Sequence, residues 1–229
     1  NEDILSIAKL LPENCQTIMF SATMPDKIEE LARTILKSPS VVKLAVSKPA
    51  EKIKQLACVC HDNQKNGILK DIFKKYGQKR VIIFSSSKLK VKEINKYLIG
   101  SKVNSGEMHS DLLQSQRDDV MYRFKSGQID VLVATDIVAR GIDIDDISMV
   151  INYDVPHDSE DYVHRIGRTA RADHDGIAIT LVRGKEIGKF MQIEKFLGYE
   201  VEKIPLPKGL GKAPEYKLTK SAKEKSGKK

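Results

Sequence analysis

The chain has 229 residues, which is enough for one complete domain and part of a second. No apolar run is long enough to span a bilayer, so a membrane protein is not expected. No signal peptide opens the sequence, although a truncated start could hide one. Three cysteines (Cys15, Cys58 and Cys60) are too few for a disulfide framework, and one pair at 58 and 60 is not a zinc site. We therefore expect reduced thiols and a cytoplasmic location.

The positive charge is concentrated at the end of the sequence. The formal net charge is +8, and residues 208–229 hold eight lysines and two glutamates, which leaves only +2 for the rest of the chain. This segment has almost no large apolar side chains, so we expect a disordered tail. Such basic tails bind phosphate backbones without sequence preference, although a purely solubilising extension is an equally good interpretation.

The hydrophobic pattern predicts helices and strands in alternation. Residues 4–11 are typical of the end of a helix, and Thr23 is expected to cap a helix with Pro25 in its first turn and Ser38-Pro39 after its end. Further helices are expected at Gln64–Tyr76, Lys88–Leu98, Gln114–Lys125, from about Ser159, and at Lys185–Leu197. Strands are expected at Gln16–Phe20, Val41–Val46, Ile53–Cys60, Arg80–Phe84, Val103–Met108, Asp130–Ala134, Ser148–Tyr153 and Ile177–Val182.

From Ile53 onward this alternation predicts an α/β fold with a parallel sheet and helices on both faces. The strand Arg80–Phe84 is nearly all apolar, as expected for a strand that is buried on both faces.

An arginine-rich stretch, His164–Arg171, is the strongest functional signal. Arg168 and Arg171 are three residues apart, so on a helical turn they would point the same way. Two rigid, permanently charged guanidiniums suit a phosphate group. A solvated basic helix end is the simpler interpretation, but Tyr162, Val163 and Ile166 supply an apolar flank that favours a packed element presenting arginines to a ligand.

A second stretch, Ile129–Ile144, reads as a buried strand that ends in polar residues. Ligands of open α/β sheets collect at the carboxyl ends of strands. Thr135, Asp136, Arg140 and Asp143 would all lie at that edge. An ordinary capped turn would also place Thr and Asp here, but two such motifs in succession favour a ligand site.

With these motifs the chain resembles the DEAD-box RNA helicases of superfamily two, over nearly its whole length. Five stretches match the motifs of that family in order and spacing: Phe20–Thr23 (Ser-Ala-Thr), Val81–Ser87 (motif IV), Gln114–Arg117 (Gln-x-x-Arg), Ala134–Ile144 (motif V) and His164–Arg171 (motif VI). The resemblance implies a RecA-like three-layer α/β/α fold with a mainly parallel central sheet, similar to P-loop NTPases but without its own P-loop.

The sequence contains neither a Gly-x-x-x-x-Gly-Lys-[Ser/Thr] phosphate loop nor an Asp-Glu-Ala-Asp motif. In the family both precede the Ser-Ala-Thr motif. The resemblance therefore implies four segments: residues 1–46 as the end of a first RecA-like domain, 47–52 as a linker, 53–207 as the second RecA-like domain, and 208–229 as the basic tail.

On the nucleotide side, the resemblance implies that Arg168 and Arg171 are arginine fingers for ATP, which neutralise charge on the transferred phosphoryl group. Gly141 and Asp143 match residues that hold the ribose and phosphates. His164 matches the residue that couples this side to the Ser-Ala-Thr motif, here Ser21 and Thr23. The accompanying Mg²⁺ would be held by the first domain, so we expect no metal site in this chain.

On the RNA side, Thr135, Gln114, Arg117 and Ser87 match positions that contact the sugar-phosphate backbone. Hydroxyl, amide and guanidinium groups suit phosphate oxygens and 2′-hydroxyls rather than base edges. Taken alone, Gln114 and Arg117 would be interpreted as polar residues at a helix start.

Two residues depart from the family pattern. Ala170 stands where the family has glycine between the fingers, which a helical conformation would tolerate. Ser110 stands at a glycine position that lets the backbone approach RNA closely.

The sequence therefore predicts the C-terminal half of an ATP-dependent RNA helicase that unwinds or remodels RNA. RNA, ATP and a first RecA-like domain in cis are the expected partners, with no membrane; the oligomeric state stays open, a monomer included. The alternative is an RNA-binding or partner-docking module that works without ATP; an unrelated nucleotide-binding domain is disfavoured by the five ordered motifs.

Overall fold

The computed structural model describes residues 2–12, 14–21, 24, 26–42, 52–136, 147–170 and 175–217. The chain divides into two compact units, Asn1–Ser47 and Lys48–Lys229. No helix in the described ranges combines the length and the apolarity that crossing a bilayer requires.

The first unit contains helix α1 (Glu2–Ala8) and helix α2 (Asp26–Ile35). The predicted strand Gln16–Phe20 is wrong, because these residues form no ladder and Phe20 is 94 % exposed. An extended segment is stabilised as a strand only by pairing with a neighbour, and none is described in this unit. Thr23, Pro25 and residues 43–46 of the other predicted strand lie outside the described residues.

The second unit is built on a seven-stranded sheet of order β3-β4-β2-β5-β6-β1-β7, and every described strand pair is parallel. The strands are β1 (Ile53–Cys60), β2 (Val81–Phe84), β3 (Ser105–Met108), β4 (Val131–Ala134), β5 (Met149–Asn152), β6 (Gly176–Arg183) and β7 (Glu202–Lys203). The predicted parallel α/β sheet is thus confirmed; the short edge strand β7 was not predicted, because two residues carry no periodicity.

Helices cover both faces of this sheet. They are α3 (Lys65–Tyr76), α4 (Lys88–Gly100), α5 (Gln114–Lys125), α6 (Ser159–Ile166) and α7 (Ile187–Leu197), with single 3₁₀ turns at Asp62–Gln64 and Gly184–Glu186. In β2, Val81 and Ile83 pack with α3 and α4, whereas Ile82 and Phe84 pack on the opposite face with Phe124 of α5. Burial on both faces explains why the central strands are apolar throughout.

Local sequence signals set the ends of these helices. Ser87 and Asp158 cap α4 and α6, accepting bonds from the backbone N–H of Lys90 (3.3 Å) and Asp161 (2.7 Å). Gly198 ends α7 with a left-handed φ of 84°, which glycine adopts without strain.

Residues 208–217 correct one expectation, since they pack on the folded unit rather than forming part of a disordered tail. The Nε2 of Gln64 donates to the carbonyls of Leu210 (2.7 Å) and Lys212 (3.1 Å), and the Tyr216 hydroxyl donates to Glu194. Leu210 packs on Gly67, where a Cβ would lie 2.5 Å from the Cδ2 of Leu210. The prediction of disorder relied on the high lysine content and overlooked Leu210 and Tyr216, whose side chains hold this segment on the folded unit. Residues 218–229 lie outside the described ranges.

Candidate functional site

The loops that follow β2, β3, β4 and β5 meet at the carboxyl edge of the sheet. The ladder continues one residue past each strand: Thr135 N donates to Met108 O (3.2 Å), Ser85 N to Ala134 O (3.0 Å) and Tyr153 N to Phe84 O (2.9 Å). Backbone hydrogen bonds of the sheet therefore fix the positions of the first residues of these loops, at the edge where α/β proteins bind ligands.

Three parts of the predicted RNA side converge on this edge. Thr135 directly follows β4, and Ser87 lies three residues beyond β2, where its oxygen accepts the N-cap bond while its O–H can still donate. Gln114 and Arg117 begin α5, and the Arg117 Nη2 reaches back to the carbonyl of Ser110 (3.2 Å). The structure thus brings these four residues to neighbouring loops of one edge.

The side chain of Arg117 has a hydrogen-bond donor that a ligand could use. Its Nε is buried and has no hydrogen-bond partner among the described residues. An unsatisfied buried donor is costly, and such groups often mark positions that a ligand completes. The Gln114 side chain is exposed and donates to Asp118 along the helix (2.9 Å).

Basic side chains lie beside the same edge. Lys88 and Lys92, in the first turns of α4, contact Asp111 in the loop after β3 at 2.8 and 3.2 Å. Hydrogen bonds from Lys88 and Lys92 hold the pKa of Asp111 below its ordinary value. These exposed ion pairs connect α4 to the loop after β3 and contribute little to stability.

The nucleotide-side residues that the structure describes lie on α6 and in the turn after it. His164 and Arg168 are both half-buried. Helix α6 ends at Ile166, before Arg168, and Ala170 has a left-handed φ of 57°, so the helical turn expected to carry Arg168 does not continue through residue 170. Thr169 leaves the helix to bridge with Ile147, which pulls the chain out of α-helical geometry.

Several predicted residues lie outside the described ranges: Gly141, Asp143, Arg171, Thr23 and Arg140. Ser21 is described and exposed, in the first unit.

Arg165 makes a connection that the sequence interpretation missed, because only Arg168 and Arg171 among the three arginines of this stretch were given a role. Arg165 is 4 % exposed and binds the carboxylate of Asp136 through Nε (2.5 Å) and Nη2 (2.6 Å). Its Nη1 donates to the Asn152 side chain (3.2 Å) and the Asp154 carbonyl (3.0 Å), and its guanidinium lies 5.2 Å from the Phe84 ring centroid.

The contact between Arg165 and Asp136 links the predicted nucleotide side to the predicted RNA side. Arg165 follows His164 in the chain, and Asp136 follows Thr135. A bidentate arginine–carboxylate pair fixes orientation as well as distance. The pair therefore sets the position of α6 relative to the end of β4.

Asp154, after β5, is the centre of a buried charge cluster that was also not predicted. It accepts from Lys65 Nζ (3.1 Å), Ser85 Oγ (2.7 Å) and the backbone N–H of Ser86 (3.1 Å). Burial by itself would raise the pKa of Asp154, but the charge of Lys65 and these hydrogen bonds outweigh burial and hold the pKa far below its ordinary value. Lys65 is fully buried and also donates to the Tyr153 carbonyl (2.5 Å), so both charges are compensated.

Within the described ranges, no group of three His, Cys, Asp or Glu residues is arranged to hold a metal ion. Cys58 and Cys60 are buried free thiols, and burial raises the pKa of Cys58 to about 12 and that of Cys60 to about 11. Neither thiol is reactive at neutral pH.

Comparison with known proteins agrees with this geometry. Residues 64–173 match the family model described as helicase conserved C-terminal domain. The chain is 38% identical over 207 residues to the ATP-dependent RNA helicase CshA of Listeria monocytogenes, covering 90% of this chain and 40% of CshA. It is 36% identical over 208 residues to eIF4A of Saccharomyces cerevisiae, covering 89% of this chain and 52% of eIF4A.

Solved structures show the same relationship. Dbp5 of S. cerevisiae bound to RNA and ADP BeF3 superposes with a TM-score of 0.79 at 30% identity, over 90% of this chain and 55% of that one. The C-terminal domain of the DEAD-box protein Dbp5 matches with a TM-score of 0.63 at 33% identity, over 68% of this chain and 91% of that domain. The sheet and its flanking helices are therefore RecA-like, and the chain belongs to the DEAD-box RNA helicase family and contains its C-terminal helicase domain.

Proposed function

We propose that the chain supplies the C-terminal half of an ATP-dependent RNA helicase that unwinds or remodels RNA. The chain spans about 40–50% of the length of the curated relatives it matches, which are ATP-dependent RNA helicases. The proposed activity belongs to a protein in which this chain follows a first helicase domain bearing a phosphate loop, called the two-domain protein below.

The convergence of Thr135, Ser87 and the Ser110–Arg117 segment on one sheet edge is the observation that carries this proposal. All of these groups are donors suited to phosphate oxygens and 2′-hydroxyls, and no described residue supplies an acceptor for the buried Nε of Arg117. We propose that they bind one side of an RNA backbone.

On the nucleotide side we propose that Arg168 and Arg171 act as arginine fingers toward ATP and that Gly141 and Asp143 hold its ribose and phosphate side. The fit rests on donor chemistry, because guanidinium forks match phosphate oxygens. The Mg²⁺ that accompanies ATP is proposed to be held by the first domain.

His164 is proposed to couple this side to Ser21 and Thr23, while the neighbouring Arg165 braces α6 against Asp136. The Arg165–Asp136 pair would connect the nucleotide side to the RNA side, because a movement of α6 would displace Asp136, which is next to Thr135. We also propose a cytoplasmic location, supported by the buried reduced cysteines.

RNA-stimulated ATP hydrolysis by the two-domain protein is the test. Arg117→Ala should weaken RNA binding and raise the RNA concentration needed for stimulation, whereas Arg123→Ala on the far end of α5 should not. The alternative, an RNA-binding or partner-docking module that works without ATP, would be favoured if the protein bound RNA normally but showed no RNA-stimulated hydrolysis.

A further inference from the structure

A groove of about 450 Å³ opens on the surface of the second unit between the C-terminal halves of α3 and α4. Its size is in the range of protein pockets that accept small ligands or single side chains of a partner. It is lined by Lys70, Phe73, Lys74, Gln78, Tyr97, Leu98, Ser101 and Val103.

The floor of the groove is apolar and rigid. Leu98 and Val103 are buried members of the main hydrophobic core, and Phe73 and Tyr97 are partly buried against that core. The Tyr97 hydroxyl donates to the Asn66 carbonyl (3.1 Å), which fixes the ring. A preformed apolar floor loses little conformational entropy when an apolar side chain binds to it.

The rim of the groove is basic and polar. Lys70 and Lys74 are exposed, four residues apart on α3, and neither forms an ion pair within the described part of the chain. Like charges at this spacing disfavour the helix slightly, and no carboxylate lines the groove to offset them. An acidic ligand would relieve this repulsion.

The groove lies away from the candidate functional site. Gln78 precedes β2 and Ser101 precedes β3, so both are at the amino edge of the parallel sheet, whereas Thr135 and Ser87 are at the carboxyl edge. A ligand bound in the groove would leave the proposed RNA and nucleotide sides open.

We propose that the groove between α3 and α4 docks a short segment of a partner protein that carries an apolar side chain flanked by aspartate or glutamate. The apolar floor takes the anchor, and Lys70 and Lys74 pair with the flanking carboxylates. RNA fits less well, because backbone binding requires a track of cations, and among the described residues only Lys70 and Lys74 supply cations to this groove.

The test selects ligands from a library of random twelve-residue peptides displayed on phage, with the 229-residue chain as bait. The strongest peptide is then synthesised with a fluorescent label and its affinity is measured by anisotropy. We expect acidic peptides with an apolar anchor. Affinity for the double variant Lys70→Glu/Lys74→Glu should fall about tenfold or more, because two attractions become repulsions.

Lys125→Glu/Lys195→Glu is the matched control, since it makes the same charge change at exposed positions on α5 and α7 and should leave affinity unchanged. Ser101→Trp fills the groove from an exposed position without removing a core side chain and should also abolish binding. Circular dichroism confirms that each variant is folded.

A mixed-sequence RNA is added as competitor and should not displace the peptide. The proposal is overturned if no acidic peptide is enriched, if enriched peptides bind the groove variants normally, or if RNA displaces the peptide and the lysine variant loses RNA affinity. The last outcome would make the groove an RNA site.

Discussion

Ala170 is expected to be strained, because its φ of 57° is left-handed. That conformation costs a non-glycine residue roughly 1–2 kcal/mol, whereas glycine costs roughly 0.4–1 kcal/mol through the entropy of the unfolded chain. Ala170→Gly should therefore increase the free energy of unfolding by about 0.5–1 kcal/mol, measured by urea denaturation.

Ala178, buried in β6, is the matched control for this substitution. Ala178→Gly should destabilise the chain by roughly 0.5–1 kcal/mol or more. A destabilising Ala170→Gly would show that the left-handed turn carries no strain.

Arg168 and Arg171 are expected to act on phosphoryl transfer. In the two-domain protein, Arg168→Ala or Arg171→Ala should reduce ATP turnover about 10²-fold or more, because each removes a charge aimed at the transferred phosphoryl. Arg168 is half-buried but lies beyond the end of α6, so its truncation should leave the fold intact, as checked by melting temperature. Near-normal turnover in either variant would remove that residue from the proposed role.

At the scale of elements, the charge cluster around Asp154 joins α3, the end of β2 and the end of β5. Asp154→Asn would remove the buried carboxylate nearest to the fully buried Lys65 and leave only the longer contact with the exposed Asp62 (3.7 Å), so the free energy of unfolding should fall by about 3 kcal/mol or more. Asp111→Asn breaks exposed pairs with Lys88 and Lys92 and should change stability little.

The pH dependence of stability gives a second measurement of the same cluster. Because the folded-state pKa of Asp154 is depressed, its stabilisation is present above its unfolded pKa of about 3.9 and is lost as pH falls toward the folded value. Wild-type stability should therefore fall more steeply below about pH 4 than that of Asp154→Asn. Parallel acid profiles for the two proteins would contradict this assignment.

At the scale of the whole molecule, the 229-residue chain alone should not hydrolyse ATP. Its sequence contains no phosphate loop and its described residues no metal cluster, so nothing would hold the β- and γ-phosphates and their Mg²⁺. Steady-state phosphate release should equal that of a buffer blank, with and without RNA. Turnover that co-purifies with the chain and disappears in Arg168→Ala would contradict the expectation.

RNA binding by the chain should be weak, non-specific and carried largely by its basic end. Residues 218–229 contain five lysines and one glutamate, a net charge of +4. Deleting them should weaken binding to a mixed-sequence RNA and flatten its salt dependence, which is roughly −0.7 in log K per phosphate neutralised. Equal affinities and slopes for the two chains would identify a passive extension.

A longer deletion distinguishes the effect of the charge of the C-terminal segment on RNA binding from the effect of its packing on stability. Removing residues 208–229 should also lower thermal stability, because Leu210 and Tyr216 pack on the folded unit. The shorter deletion should leave the melting temperature unchanged.

Hydrophobic periodicity and the signals that begin and end helices predicted most of what the structure describes of the second unit, including the parallel α/β sheet and the five flanking helices in the described ranges. These are local signals, since the continuous apolar run Val81–Phe84 and the caps Ser87 and Asp158 are encoded within a few residues. The motifs named Thr135, Ser87 and Arg117, and the structure brings all three to one edge of the sheet, because parallel strands have their carboxyl ends at the same edge; their role toward RNA stays a prediction.

Only the tertiary structure decided which charged residues are structural. Arg165 and Lys65 look like ordinary surface cations in the sequence, yet each is buried against a carboxylate far away in the chain, Asp136 or Asp154. The same holds for Ala170, which leaves helical geometry because Thr169 bridges to Ile147, and for Leu210, which packs on Gly67. The physical reason is common to all of them: long-range pairing and burial determine these energies, and a sequence pattern reports only on near neighbours.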